Sequence, residues 1–202
     1  MGELLGLALL TAGWCALHSL LIAAPVTGWL RRRLGSRYRF HRLSFDLISL
    51  GTLVPVLRYR AQVAGEALFS WEGWWLAPRV LLIGAAAALF VAGGRNYDLL
   101  QFLGVRQLMG RSTRSGLTAG GTLDTSGILA YVRHPWYLGA LLLIWARTLD
   151  RSVVVMNLVL SVYLVVGTVL EERKLVAEFG EEYRQYQQRV PMLLPWFTWR
   201  RG

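Results

Sequence analysis

The chain has 202 residues, of which 54% are hydrophobic and only 17% charged, and its mean hydropathy is +0.40. This composition excludes an ordinary soluble domain and predicts an all-α, polytopic membrane protein. The net charge of +10 does not indicate a nucleic-acid partner, because arginine clustered between apolar segments is the usual signal of cytoplasmic loops. The single cysteine, Cys15, excludes an intramolecular disulfide and a multi-cysteine metal site, and we expect no metal.

Five apolar segments predict about five transmembrane helices, since each approaches the roughly 20 residues needed to cross a bilayer. The first is expected to be a retained helix, because the start of the chain lacks the basic region of a secretory signal. The fourth rises only about 21 Å and is expected to form a tight helical hairpin with the fifth. We expect one membrane domain over 1–202, with N-terminal helices and loops in 1–110 and a cofactor-binding region in 111–195. The five segments are 4–24, 43–60, 75–94, 136–148 and 152–170.

The distribution of arginine sets the predicted orientation in the membrane. Six arginines follow the first segment and five lie within 95–134, whereas the loop after the second segment holds Glu66 and Glu72. The positive-inside rule therefore places the N-terminus outside and the C-terminus in the cytoplasm, in an inner or plasma membrane. Both ends of the predicted hairpin would then face the cytoplasm.

Two polar segments flank the hairpin. The Ser-, Thr- and Gly-rich stretch 111–127 predicts either a flexible connector or a loop that wraps a ligand. The stretch after Glu171 predicts a separate amphipathic cytoplasmic helix, packed on the membrane surface or over the core. Its apolar stripe consists of Leu175, Phe179, Tyr183, Tyr186 and Val190.

The start of the hairpin carries a cation and an imidazole. Pro135 fits the first position of a helix, so His134 falls at or next to its N-cap. The free N–H groups and the positive dipole end of that helix suit an anion, and Arg133 adds to this. The alternative is topological, since an arginine at a cytoplasmic edge needs no ligand.

The returning end of the hairpin carries two carboxylates. Glu171 and Glu172 oppose the dipole of the helix that they end, so a cationic partner is expected. That partner is either Arg133 or Arg173, or the ammonium or sulfonium of a ligand. S-adenosylmethionine offers a carboxylate, an ammonium and a sulfonium together, and the adjacent aromatic residues Trp136 and Tyr137 either stack on its adenine or anchor the helix at the interface.

Residues 122–195 resemble the isoprenylcysteine carboxyl methyltransferases and their phospholipid-methylating relatives. The resemblance lies in Arg133–Gly139, the Glu171-Glu172 pair, and Phe179–Tyr183 with Tyr186, Val190 and Pro191. It implies a membrane enzyme that transfers a methyl group from S-adenosylmethionine to a lipophilic or small acceptor. It also implies cofactor contacts at His134–Tyr137, at Glu171 and at about Gly121–Asp124. With the charged residues Arg133 and Glu172 added, the predicted cofactor-binding set is Arg133, His134, Pro135, Trp136, Tyr137, Glu171, Glu172, Leu123 and Asp124.

The chain departs from that family at two positions. Leu129 stands where the carboxyl methyltransferases tend to have an aromatic contact, and Gly167 stands where they have an arginine for the substrate carboxylate. We therefore expect a thiol, or an acceptor that is neutral or cationic near its reacting end, rather than a prenylcysteine carboxylate. Arg95 is the candidate substrate contact from the cytoplasmic loops, and His18 is a second candidate.

The N-terminal half resembles, more faintly, bacterial membrane methyltransferase-like proteins and haem-containing carotene-isomerase relatives. A histidine within a span, such as His18, serves either packing or a site. The alternatives to a methyltransferase are thus a haem-dependent isomerase or redox protein that uses His18 and His41, or a non-enzymatic transporter or assembly factor. His41 is otherwise expected to be solvated, and Asp46 is expected to pair with a loop arginine.

Overall fold

The computed structural model describes residues 1–96, 100, 103–109 and 123–194, and within these residues the chain is helical, with an isolated bridge between Phe69 and Leu149 in place of any sheet. The all-α prediction is confirmed. The described helices are α1 (Gly2–Ile22), α2 (Ala24–Leu34), α3 (His41–Gln62), α4 (Leu76–Asn96), α5 (Val105–Leu108), α6 (Pro135–Trp145), α7 (Arg151–Phe179) and α8 (Glu181–Arg189), with 3-10 turns at Gly35–Phe40, Gly73–Trp75 and Gly127–Ala130.

Four helical segments in the described part are long and apolar enough to cross a membrane, so the chain is a polytopic membrane protein. Helix α6 is apolar but has only 11 residues, which rise about 16 Å, too little to span a bilayer alone. The predicted set of about five helices thus consists of four long segments and one short one. The four segments are Gly2–Ile22, Ala24–Gln62, Gly73–Arg95 and Arg151–Phe179.

Two predicted boundaries are wrong. The arginine-rich stretch after α1 is largely helical, because Pro25 suits the first turn of α2 and the arginines of its last turn complement the helix dipole. The polar helix predicted to follow Glu171 does not start there, because α7 continues to Phe179. The break comes at Gly180, whose φ of +58° is readily adopted only by glycine, and α8 starts directly afterwards.

The described chain divides into two compact units. The first comprises residues 1–69 and 148–160 together with α5. In it α1 and α3 run antiparallel: the indole of Trp14 donates to the carbonyl of Ser49 over 3.0 Å, and Gly6 lies against the ring of Tyr59 at the other end. At the start of α7 the carboxylate of Asp150 accepts hydrogen bonds from the amides of Ser152 and Val153 and thereby caps the helix.

The second unit comprises residues 70–96, 123–147 and 161–194. In it α4 and α6 pack antiparallel, with the Trp136 indole donating to the carbonyl of Phe90 over 3.2 Å at one end. At the other end the Arg79 guanidinium donates to the carbonyl of Ala146 over 3.1 Å. Gly93 permits this close approach, because a Cβ there would lie 2.6 Å from the Trp136 indole. The short helix is therefore held against α4, as expected for a tucked hairpin arm.

Candidate functional site at the hairpin ends

The two ends of the hairpin meet in the second unit. Pro135 opens α6 and His134 is its N-cap residue, as predicted, although the imidazole makes no capping hydrogen bond. Its Nε2 lies 3.3 Å from Oε1 of Glu172, and its Nδ1 lies 3.9 Å from Oε2 of Glu171. Thus the start of α6 and the last third of α7 bring an imidazole and two carboxylates together.

The guanidinium of Arg133 is bound within the protein. Its Nε and Nη2 both lie 2.6 Å from Oε1 of Glu172, and its Nη1 donates to the carbonyls of Gln187 and Val190. The second oxygen of Glu172 accepts a hydrogen bond of 2.8 Å from the side chain of Gln187. The predicted partner of Glu172 was either an arginine of the protein or the cation of a ligand, and in the structure it is Arg133. Arg133 and Glu172 form a buried, neutral pair.

The segment after α8 completes this arrangement. The amides of Arg133 and His134 donate to the carbonyls of Pro191 and Met192 over 3.0 and 3.2 Å. The hydroxyl of Tyr186 donates to the carbonyl of Leu129, which fixes α8 to the turn before the hairpin. The predicted apolar stripe lies in one buried cluster, so this face of α8 packs on the core of this unit. We call this set of contacts around Arg133 and Glu172 the clamp.

Glu171 lies outside the clamp. Its side chain is 28% exposed, compared with 11% for Glu172. Because Arg133 pairs with Glu172 and not with Glu171, the carboxylate of Glu171 keeps its negative charge next to His134. Such a place favours a ligand that presents a cation.

Beside the clamp lies a small cavity of about 20 Å³. Asp124, Arg133, His134 and Tyr183 line it together with apolar side chains, which include Leu123. Asp124 accepts hydrogen bonds from the amide and the hydroxyl of Ser126, over 2.9 and 2.7 Å. Both Leu123 and Asp124, predicted as cofactor contacts, therefore lie against the clamp. Most of the 111–127 stretch, including Gly121, lies outside the described residues.

The two aromatic residues of the motif point to different neighbours. The ring of Tyr137 stands edge-on to the imidazole of His134, with 5.7 Å between centroids. Trp136 contacts Phe90 and Gly93 of α4, which is a packing role. Stacking of either ring on a nucleoside stays a prediction.

The remaining candidates are Arg95, His18, Asp46 and His41. Arg95 is exposed at the end of α4, two residues beyond Gly93, which lies against Trp136 at the start of α6. His18 belongs to the first unit, where its Nδ1 lies 3.1 Å from the hydroxyl of Ser49 and its ring packs on Phe45. A role of His18 in a site stays a prediction. Asp46 pairs with Arg42 over 3.7 Å, which confirms that prediction. His41 is half-buried and stacks on a tyrosine ring, so the expectation of a simply solvated side chain is wrong.

Two members of the site were not found from sequence. Gln187 bonds both partners of the buried pair, and nothing in its neighbourhood marks it, since it sits among other polar residues of α8. Tyr183 was predicted only as part of the apolar stripe and of the family motif, without a role in the site. Tyr186 on the same stripe carries a hydroxyl as well, so the sequence holds no signal that singles out Tyr183.

The fold and the site together define a class of protein: a polytopic helical membrane protein in which the clamp holds the two ends of a helical hairpin together. The chain matches the family described as NnrU protein over residues 6–199, and it belongs to that family. It is 48% identical over 67 residues to methanethiol S-methyltransferase 1 of Bradyrhizobium diazoefficiens, which covers 33% of this chain and 24% of that protein. No solved structure matches it significantly.

Two further relatives extend this similarity. The methanethiol S-methyltransferase of Pseudomonas deceptionensis is 40% identical over 97 residues, which covers 47% of this chain and 36% of that protein. The protein-S-isoprenylcysteine O-methyltransferase of Schizosaccharomyces pombe is 39% identical over 79 residues, which covers 36% and 33%. The predicted resemblance to this group of membrane methyltransferases is confirmed. The chain matches only about a quarter to just over a third of the length of these curated relatives.

Proposed function

We propose that this protein transfers a methyl group from S-adenosylmethionine to a small thiol, at the hairpin ends and on the cytoplasmic face of the membrane. The observation that carries the proposal is the carboxylate of Glu171, which lies beside His134 without a share in the clamp. The similarity to proteins named as methyltransferases supports the reaction class. The acceptor, the cofactor and the membrane face are parts of the proposal.

The residues fit the cofactor in the following way. Glu171 binds the ammonium, while His134 and the first turn of α6 bind the methionine carboxylate. Arg133 is not a direct contact in this scheme, because its guanidinium is already bound to Glu172 and to two carbonyl groups. It positions His134 instead. Pro135 contributes by starting α6, and Glu172 contributes by holding Arg133 in the clamp.

The chemical demand on the protein is small, since the bound cofactor supplies a methyl group already activated by its sulfonium. The protein must align the acceptor opposite the breaking bond and exclude water. Methyl transfer would form the bond from the thiol sulfur to the methyl carbon as the bond from that carbon to the sulfonium breaks, and the thiol would lose its proton to bulk water before the transfer.

A thiol suits the site better than a prenylcysteine carboxylate does. The position that carries an arginine in the carboxyl methyltransferases is Gly167, and a Cβ there would lie 3.6 Å from the ring of Tyr137. No guanidinium is therefore available at that position to pair with an acceptor carboxylate, whose desolvation costs several kcal/mol when unpaired. Arg147 does not replace it, since it follows the far end of α6. Methanethiol is the acceptor in the names of several relatives.

The first experiment tests the cofactor. We expect Glu171→Gln to weaken S-adenosylmethionine binding roughly ten- to a hundredfold, because it removes a charge-assisted contact of about 1.5–3 kcal/mol. The matched control is Glu178→Gln, a change of the same kind at an exposed position of α7. Calorimetry on detergent-solubilised protein measures both. Equal affinities of the two variants would remove Glu171 from the site.

The second experiment tests the acceptor. The purified protein receives methyl-labelled S-adenosylmethionine with methanethiol, a farnesylcysteine analogue or an aminophospholipid in parallel. We expect label in the thioether. Label only in a methyl ester of the farnesylcysteine analogue would overturn the inference drawn from Gly167.

The third experiment tests the membrane face. Single cysteines replace Ser36 and Gly65 on a Cys15→Ala background, and an impermeant maleimide is applied to intact cells. We expect Gly65→Cys to react from outside and Ser36→Cys to react only after the membrane is opened. Labelling of both from the same side would contradict the proposed orientation.

A further inference from the structure

The hydroxyl of Tyr183 is the most unusual polar group of the second unit. The residue is only 1% exposed, and its hydroxyl reaches no hydrogen-bond partner within the part of the chain that the structure describes. Buried hydroxyls normally have a hydrogen-bond partner, because a buried donor without one loses its hydrogen bonds to water and gains none within the protein. Tyr186, one turn further along α8, shows the normal case, since it is also buried and donates to the carbonyl of Leu129.

The same tyrosine lines the cavity beside the clamp. At about 20 Å³ the cavity admits roughly one water molecule or one oxygen atom of a ligand. The imidazole of His134 borders it as well, together with the Arg133 guanidinium, which is already bonded within the clamp, and the carboxylate of Asp124, which accepts from Ser126. Because the hydroxyl of Tyr183 and the imidazole can each donate a hydrogen bond, the cavity favours an acceptor oxygen.

The phenol is protonated at neutral pH. Burial raises the pKa of Tyr183, and the negative charge of Glu172 raises it further, because both disfavour a phenolate. Tyr183 therefore offers a donor and not an anion to whatever enters the cavity.

We infer that Tyr183 is a cofactor-binding residue whose hydroxyl donates to a carboxylate oxygen of the methionine part of S-adenosylmethionine. The inference rests on the proposed function. A carboxylate oxygen fits the volume of the cavity, whereas an adenine ring does not. The two charges of the amino-acid part are then separated across the site, with the carboxylate at Tyr183 and His134 and the ammonium at Glu171.

The test compares Tyr183→Phe with Tyr186→Phe, which removes a hydroxyl from the same helix and the same cluster. Calorimetry measures the binding of S-adenosylmethionine and of decarboxylated S-adenosylmethionine, which lacks only the carboxylate. We expect Tyr183→Phe to weaken S-adenosylmethionine binding roughly tenfold or more and to leave the decarboxylated analogue unchanged. Its melting temperature should not fall, because no protein hydrogen bond is lost.

Tyr186→Phe should behave in the opposite way. Tyr186 lines the cavity too, but its hydroxyl is bonded to Leu129, so this variant should melt earlier and should change the affinity for both ligands by the same factor. If Tyr183→Phe binds S-adenosylmethionine as tightly as the unmodified protein, the cavity holds an internal water and the inference is overturned. An equal loss for both ligands would also overturn it, since the hydroxyl would then act on the ribose or the fold. Failure of the unmodified protein to bind either ligand would refute the proposed function itself.

Discussion

The ion pair of the clamp in the second unit and the ion pair on α3 in the first unit hold their charges in different ways. In the second unit Arg133 and Glu172 lie 2.6 Å apart with side chains only 7% and 11% exposed, and further hydrogen bonds serve both. In the first unit Arg42 and Asp46 lie 3.7 Å apart and each side chain is 26% exposed, although one oxygen of Asp46 is buried without a hydrogen-bond partner among the described residues. A close pair that is shielded from water stabilises the fold through its bonds, whereas a longer, partly exposed pair contributes less.

The difference extends to what each pair connects. Arg42 and Asp46 lie one turn apart on α3, so their contact stabilises a single helix. The clamp joins the start of α6, the last third of α7 and the end of α8, which are separate in sequence. It therefore fixes the place of His134 and Glu171, the residues to which we assign the cofactor.

Breaking the buried pair should give the largest effect. Glu172→Ala leaves the guanidinium of Arg133 buried without a counter-charge, and we expect the free energy of unfolding to fall by about 3–5 kcal/mol. Asp46→Ala should cost less than about 1 kcal/mol, because the contact is long and half-exposed. Denaturant titration of both variants in one detergent measures the difference. Equal losses of stability in the two variants would show that burial and hydrogen bonding do not make the Arg133–Glu172 pair more stabilising than the Arg42–Asp46 pair.

Close helix contacts should show a smaller contrast of the same kind. Gly93→Ala places a Cβ against the indole of Trp136, which cannot withdraw without losing its bond to Phe90, and we expect a loss of about 1–3 kcal/mol. Gly6→Ala in the first unit meets the hydroxyl end of Tyr59, which can shift, so its loss should be smaller.

Gly94→Ala is the matched control for Gly93, since nothing lies within 4 Å of a Cβ there. It should be neutral or stabilise α4 by up to about 1 kcal/mol, because alanine is the better helix former. Thermal unfolding of the three variants decides the order. A Gly93→Ala protein as stable as the Gly94→Ala protein would mean that α6 is free to move away from α4.

The sequence predicted which residues lie close together at the hairpin ends, but not which hydrogen bonds they make. A hairpin brings its ends together whatever its side chains do, so the proximity of His134 to Glu171 and Glu172 followed from two apolar segments and a short turn. The bond from Arg133 to Glu172 and to the carbonyls of α8 depends on side-chain direction, which hydropathy does not report. Arg133 was therefore expected to bind a ligand as well as, or instead of, a carboxylate of the protein.

Helix ends were the least predictable part of the fold. Hydropathy falls at Glu171, but α7 continues to Phe179, because polar residues with good helix propensity extend a helix beyond the apolar core. The actual end is set by the backbone conformation of Gly180. Since α8 starts from that point, the positions of Tyr183 and Gln187 beside the clamp could not be predicted from the stripe alone.

The smallest expected effect concerns Asp150, the most highly bonded carboxylate of the first unit. It accepts hydrogen bonds from Ser152 and Val153 and lies 2.7 Å from the guanidinium of Arg60. Burial acts to raise its pKa, but the bonds from Ser152 and Val153 and the charge of Arg60 outweigh it, so the pKa lies below its ordinary value. A carboxyl whose pKa is lower in the folded state stabilises the fold above its unfolded pKa of about 3.9 and loses this contribution as the pH falls through the folded value.

We therefore compare the unmodified protein with Asp150→Asn and Asp150→Ala between pH 7 and pH 3. Asparagine keeps the cap and loses the charge, so at pH 7 we expect a loss below about 1 kcal/mol, and the difference from the unmodified protein should shrink below about pH 4. Alanine also loses the cap and should cost about 1 kcal/mol more, at every pH at which the protein is folded. Melting curves across this range measure both differences. A gap between the unmodified protein and Asp150→Asn that stays constant down to pH 3 would mean that the charge on Asp150 contributes nothing. The first unit would then depend on hydrogen bonds at this helix start, and the second unit alone would depend on ionic contacts.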